Sequence, residues 1–234
     1  MLAAAFVKGA IGVGFPTLGT PLLTLFVDVK VAVAVLVIPN IVMDGLQMRR
    51  RGRFLHTARR LRVLLACTML GTVLGTRILV ALSARAVTLI LGSFVLAFVA
   101  LNLTRFSPRV RPRWERWLSP AVGLLAGLLG GVTNALGTPL IVYFYALGMD
   151  KHEFVRSVAL TFLVAKVVQL AALGAYGLLG GPVVAGSVAL TVVALAGFGA
   201  GLRVQDRVDQ RTFNRSVLVF LAALGAWLLV RALA

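Results

Sequence analysis

Residues 9–22 read GAIGVGFPTLGTPL and residues 127–140 read GLLGGVTNALGTPL. Each stretch runs from glycine-rich apolar sequence into the tetrapeptide Gly-Thr-Pro-Leu, Gly19 to Leu22 in one and Gly137 to Leu140 in the other, and each is followed by a further apolar run. Glycine and proline at these places interrupt a helix inside hydrophobic sequence. Interrupted helices at matching positions of two halves point to a membrane transporter.

Composition defines the solvent. Of the 234 residues, 60% are hydrophobic and 13% charged, and the mean hydropathy is +0.98. Apolar runs of about 18 or more residues, the length that crosses a bilayer as a helix, lie near 1–27, 31–48, 63–82, 86–104, 119–148, 155–180, 182–202 and 213–233. They are rich in Leu and Ala and lack the two-residue alternation of a membrane barrel, so the fold class is an all-α integral membrane protein. The first run carries Lys8 and the repeated pattern, and is read as part of the fold rather than as a cleaved signal peptide.

The net charge of +17 is concentrated in loops. Half of the 24 basic residues fall in two short stretches: Arg49, Arg50, Arg51, Arg53, Arg59, Arg60 and Arg62, then Arg105, Arg109, Arg111, Arg113 and Arg116. Arginine beside apolar spans is retained on the cytoplasmic side and meets anionic lipid heads, so lipids are expected partners and nucleic acid is not. Cys67 is the single cysteine, and His56 and His152 lack neighbours at ligand spacing. No metal or cofactor is expected. Nothing resembles a nucleophile with its base, a phosphate loop or paired catalytic carboxylates, so an enzyme is not expected either.

Self-comparison extends the repeat. Gly9 and Gly12 match Gly127 and Gly130, Gln47 matches Gln169, Asp28 matches Asp150, and Gly71-xxx-Gly75-x-Arg77 matches Gly197-xxx-Gly201-x-Arg203. The chain reads as two homologous four-segment repeats, over 1–104 and 119–234, joined by a basic cytoplasmic linker over 105–118. The loop after the second segment holds seven arginines in the first copy, whereas its counterpart at 174–182, GAYGLLGGP, holds no charge. That contrast is expected if the second copy is inverted in the membrane; inversion needs an odd number of crossings per copy, and one remedy is that the first segment of each copy dips in and returns as a hairpin. Eight full spans with parallel copies is the alternative.

Thr followed by Pro is a helix-start signal. Thr20 and Thr138 are read as caps, with Pro21 and Pro139 at the first helical position. Helix starts carry partial positive charge and unpaired N–H groups, which suits a small oxyanion. The substrate-binding candidates are therefore Gly12, Gly14, Gly19 and Thr20 in one copy and Gly130, Gly131, Asn134, Gly137 and Thr138 in the other. The Gly-xxx-Gly pairs read as close helix packing. Polar residues inside spans form a second set: Asn40, Asp44 and Gln47, with Lys166 and Gln169. Asp44 aligns with Lys166, and the two are expected either to pair across the pseudo-two-fold axis as a coupling pair or to serve structure alone. Lys8 is read as snorkelling to the interface. A coupling ion, a proton or Na+, is expected, and a homo-oligomer is left open.

The string FVKGAIGVGFPTLGTPLLTLF, the loop RRRGRF and the echo GLLGGVTNALGTPLIVYFYALGMDKHE resemble the sulfite exporter TauE/SafE family of membrane permeases. The resemblance implies a multi-pass bacterial inner-membrane secondary transporter for sulfite, sulfonates or similar anions, driven by an ion gradient. The family's glycine-rich stretch falls on Gly9, Gly12, Gly14, Gly19 and Pro21, and on Gly127, Gly130, Gly131, Gly137 and Pro139. Phe15-Pro16-Thr17 departs from the commoner run of consecutive glycines. A non-transporting membrane scaffold that recruits a partner through its arginine loops is the other expectation, and flux through the isolated chain separates the two.

Overall fold

The computed structural model describes residues 1–51, 54–103, 112–149, 151–204 and 230. The described residues form helices and no strands: α1 (Leu2–Ile11), α2 (Phe15–Leu23), α3 (Val29–Val35), α4 (Val37–Arg51), α5 (Phe54–Arg60), α6 (Arg62–Ala81), α7 (Ala84–Leu103), α8 (Pro112–Thr133), α9 (Gly137–Ala146), α10 (Lys151–Ala175) and α11 (Gly181–Val204). Among the described residues, four segments are long and apolar enough to cross a membrane: Val29–Arg49, Arg62–Ala81, His152–Ala175 and Gly181–Arg203. Their outer faces carry exposed Leu70, Val73, Leu74, Val188 and Val192, as a lipid-facing surface does. The run at 213–233 lies outside the described residues apart from Val230, as does Asp150. The linker does so up to residue 111, and from Pro112 onward it is helix.

Both expected interruptions exist, and the first lies elsewhere than expected. The break in the first copy falls at Gly12 (φ 95°) and Gly14 (φ 111°), left-handed positions that favour glycine. Gly14 caps α2, and Pro16 follows in its first turn, where a missing N–H costs nothing. Phe15-Pro16 thus supplies the start signal attributed to Thr20-Pro21, and Gly19, Thr20 and Pro21 all lie inside α2. In the second copy the chain breaks at Asn134 (φ 66°) and restarts at Gly137. Leu136 holds the cap position there, so Thr138 belongs to the first turn and is not the cap.

The second apolar run is also divided, between α3 and α4. Pro39 has no N–H for the carbonyl of Val35 one turn back. That carbonyl instead accepts the Ser187 hydroxyl of α11 at 2.7 Å, and the Val33 carbonyl accepts the Asn134 amide at 3.0 Å. A kink in the first half of the chain therefore anchors the break in the second half.

Glycines set the closest helix contacts. Gly71 and Gly127 bring α6 against α8, and Gly9 and Gly201 bring α1 against α11, each so close that a Cβ on any of the four would meet main-chain atoms of the facing helix. Each contact joins the two halves of the sequence. The Gly-xxx-Gly pairs are packing positions, with one refinement: Gly201, rather than the Gly197 matched in sequence, plays opposite Gly9 the part that Gly71 plays opposite Gly127.

One end of the bundle gathers α5 and the starts of α8 and α10. Arg60 donates to both Glu115 carboxylate oxygens at 3.1 Å and to Glu153, and Arg156 donates to the Thr57 hydroxyl at 2.7 Å. The hydrogen bonds with Glu115 push the Arg60 guanidinium pKa upward. At this end Tyr143 Oη lies 2.8 Å from the Ser119 hydroxyl and donates to the Glu115 carbonyl at 3.1 Å, so the far part of α9 returns to the start of α8. Lys30 donates to the Val80 carbonyl at 2.9 Å, joining the start of α3 to the far end of α6.

Candidate functional site

The polar residues of the spans converge on one buried cluster built from both breaks. Lys8, on α1, is 1% exposed and forms an ion pair with Asp44 at 2.6 Å, while donating to Asn40 Oδ1 at 3.2 Å. Its ammonium stands 5.6 Å from the centre of the Phe162 ring. Lys8 does not snorkel, because Asn40 and Asp44 lie on one face of α4 and supply the partners that interfacial water would otherwise supply.

Lys166, on α10, is 0% exposed and donates to Asn134 Oδ1 and Gln169 Oε1, both at 2.5 Å. Gln169 in turn donates to the Gly131 carbonyl at 3.1 Å and the Gly130 carbonyl at 3.4 Å. The Gly131 carbonyl is released where α8 breaks, since Ala135 N–H, the donor one turn ahead, goes to the Thr133 hydroxyl at 3.3 Å, whereas the Gly130 carbonyl also accepts the Asn134 N–H at 2.9 Å. Asn134, Lys166 and Gln169 thus repair the second break and hold it in place. The expected direct pair of Asp44 with Lys166 is replaced by Asp44 with Lys8, although Lys166 remains within electrostatic range of both.

The starts of α2 and α9 meet at this cluster. A Cβ on Gly137 would lie 3.6 Å from Phe162 and 3.8 Å from the Thr17 hydroxyl, and one on Gly12 would lie 3.1 Å from Gln47 Nε2. Not every candidate takes part. Gly19 packs against Leu36 and Met1, Gly130 makes room for Leu136, and Gly131 lies against the α6 main chain. Gly14 turns the chain, and Thr20 is fully buried with a hydroxyl that has no partner. Of Thr138 only its place in α9 is described.

Lys8, Thr17 and Phe162 border the cluster, and the sequence candidates do not include them. For Lys8 the missing signal was geometric: three polar residues on α4 appear far along the chain, and only the bundle brings them to α1. Among the described residues no group of three or more metal-ligating side chains occurs.

Residues 1–228 match the family described as sulfite exporter TauE/SafE. The chain belongs to that family. No curated protein and no solved structure gives a significant match. TauE/SafE proteins are membrane transporters rather than enzymes, and membership implies a small anionic substrate.

Proposed function

We propose that this TauE/SafE chain is a secondary transporter of the bacterial inner membrane that binds a small sulfur oxyanion or sulfonate at the buried cluster and moves it by alternating access. One observation carries the reading: the cluster holds two lysines, Lys8 and Lys166, and one carboxylate, Asp44, all at 1% exposure or less. With all three ionised its charge is one positive too many for a low-dielectric interior. A monovalent anion is the counter-ion it lacks. The starts of α2 and α9 add partial positive charge at the same place.

The coupling role falls to Asp44, Lys8 and Lys166, with Asn40 and Gln169 orienting the two lysines and Gln47 left to meet the anion. An anion beside Lys166 alters the field at the Lys8–Asp44 pair, and that pair ties α1 to α4. Binding and helix position are thereby linked, with a proton or Na+ as the coupling ion.

The proposed architecture is two inverted repeats whose first segments are re-entrant hairpins. It is supported by the return of α9 to the start of α8, and by the gathering of Arg60, Glu115 and Glu153 at one end. Parallel copies with eight spans would separate Glu153 from the arginine loop. With Cys67 replaced, single cysteines in 174–182 are expected to react with an impermeant maleimide from the periplasm of intact cells. Reaction only from the cytoplasm would rule out inversion.

Lys166→Gln removes the charge and keeps a donor for the Asn134 side chain. Sulfite flux into proteoliposomes should fall by about tenfold to a hundredfold, the worth of one hydrogen bond to a charged group. Unchanged flux would remove Lys166 from the site. Absence of flux in the unaltered protein would favour the scaffold reading instead.

A further inference from the structure

We propose that the accepted anion carries its own hydrogen-bond donor, as a monoanionic acid oxyanion of the hydrogen sulfite kind does, and that Asp44 Oδ2 receives its O–H. The inference rests on the proposed transport function and specifies the protonation state of its substrate. It begins from an inequality between the two halves of the site.

Gln169 has both amide atoms engaged, whereas Gln47, its sequence equivalent, is buried with neither Nε2 nor Oε1 bonded. Because both atoms lack partners, exchanging the amide's two ends changes nothing. One turn away on α4, Asp44 engages Lys8 through Oδ1 and leaves Oδ2 buried without a donor. The hydroxyls of Thr20, Thr72 and Ser157 are also unpartnered. A helical hydroxyl can turn to the carbonyl one turn back, as Thr68 and Thr76 do. The Asp44 carboxylate oxygen has no proton to give in that way, and the Gln47 amide makes no such bond, although the Asn40 amide on the same helix donates to the Leu36 carbonyl at 3.1 Å.

The unmet groups describe the ligand. Lys166 spends two of its three protons on Asn134 and Gln169, leaving one for an anionic oxygen. Gln47 offers a donor and an acceptor. Asp44 Oδ2 only accepts, so it demands a donor on the ligand. A dianion such as sulfite itself would set a bare oxygen against the carboxylate and overshoot the single positive charge. A sulfonate without a donor matches the charge and leaves Oδ2 unmet. Hydrogen sulfite meets both conditions.

The test compares sulfite with methanesulfonate, a donorless anion of constant charge, in proteoliposomes of the full chain at pH values on either side of the second ionisation of sulfurous acid. Flux through protein-free liposomes is subtracted, since neutral sulfur dioxide crosses lipid. The titratable groups facing Asp44 are Lys8 from α1 and Lys166 from α10. A change in the protonation of either lysine acts on both monoanions alike, whereas protonation of Asp44 removes the acceptor and lowers the ratio at the lower pH, opposite in direction to the expected result. At the lower pH sulfite should move about tenfold faster or more, the effect of one charge-assisted hydrogen bond. The ratio should fall as the dianion replaces hydrogen sulfite. Equal fluxes at the lower pH, or a ratio constant with pH, would overturn the inference and leave the transport reading standing. Failure of both anions to move would overturn the transport reading, and the inference with it.

Discussion

Replacing Lys8 with methionine is expected to lower the midpoint of thermal unfolding in detergent by on the order of 10 °C, corresponding to about 3 kcal/mol. The cause is Asp44, which is 1% exposed and, among the described residues, takes its one ion pair within contact distance from Lys8. Methionine fills similar volume and leaves the carboxylate buried without that partner. Lys166 still lies within electrostatic range of Asp44, which holds the effect toward the low end of what breaking a buried pair costs. Asp44→Asn alone strands Lys8 in the same way. The double variant Lys8→Met with Asp44→Asn removes both charges and should recover most of the lost stability, because a buried ion pair gives little net stability over neutral replacements. Recovery of the fold should not bring recovery of flux. Fluorescence-detected melting of the two single variants and the double variant yields the interaction energy directly, and additive losses would show that Lys8 and Asp44 do not act as a pair.

That pair marks the boundary of what the sequence made legible. Membrane class, helical content and interruptions in the two glycine-rich stretches follow from hydropathy and from residues whose backbone preferences are local. So does the packing role of Gly71 and Gly201, since small residues four apart on a membrane helix have few other uses. The position of the first break was less accessible. Residues 9–22 contain two proline signals, Pro16 and Pro21, and the repeat drew attention to the one shared by both copies. Two glycines decide otherwise, because left-handed Gly12 ends α1 and left-handed Gly14 caps α2 before Phe15 begins it. The partners of Asp44 were beyond local reach altogether. Asp44 and Lys166 occupy equivalent positions, but Lys8 comes from α1, whose approach is set by contact with α11 at the other end of the chain. A pairing decided by tertiary crossing leaves no periodic trace in sequence.

Those crossings are themselves open to a sharp test. Gly127→Ala is expected to destabilise the protein by about 1–3 kcal/mol, the usual cost of overfilling a packed contact. The added methyl would press on the Thr68 carbonyl and come to 2.8 Å from Thr72 N, both main-chain atoms that no rotamer change can move aside. The helices α6 and α8 must separate, and α8 carries Asn134 at its broken end. Gly201→Ala should do the same to α11 and α1, displacing Lys8, since its Cβ would lie 2.9 Å from Ala10 N. Gly199→Ala on the same helix is the control: nothing lies within 4 Å of its Cβ, and alanine is the better helix former. Gly127→Ala combined with Gly71→Ala should cost less than the sum of the two, because a single separation of α6 from α8 accommodates both methyls. Gly127→Ala combined with Gly201→Ala should cost close to the sum, since the two strain different crossings. Melting temperatures across this set distinguish two independent close contacts from general intolerance of larger residues. If Gly199→Ala were as damaging as Gly201→Ala, close approach of the main chains would not be what these glycines provide.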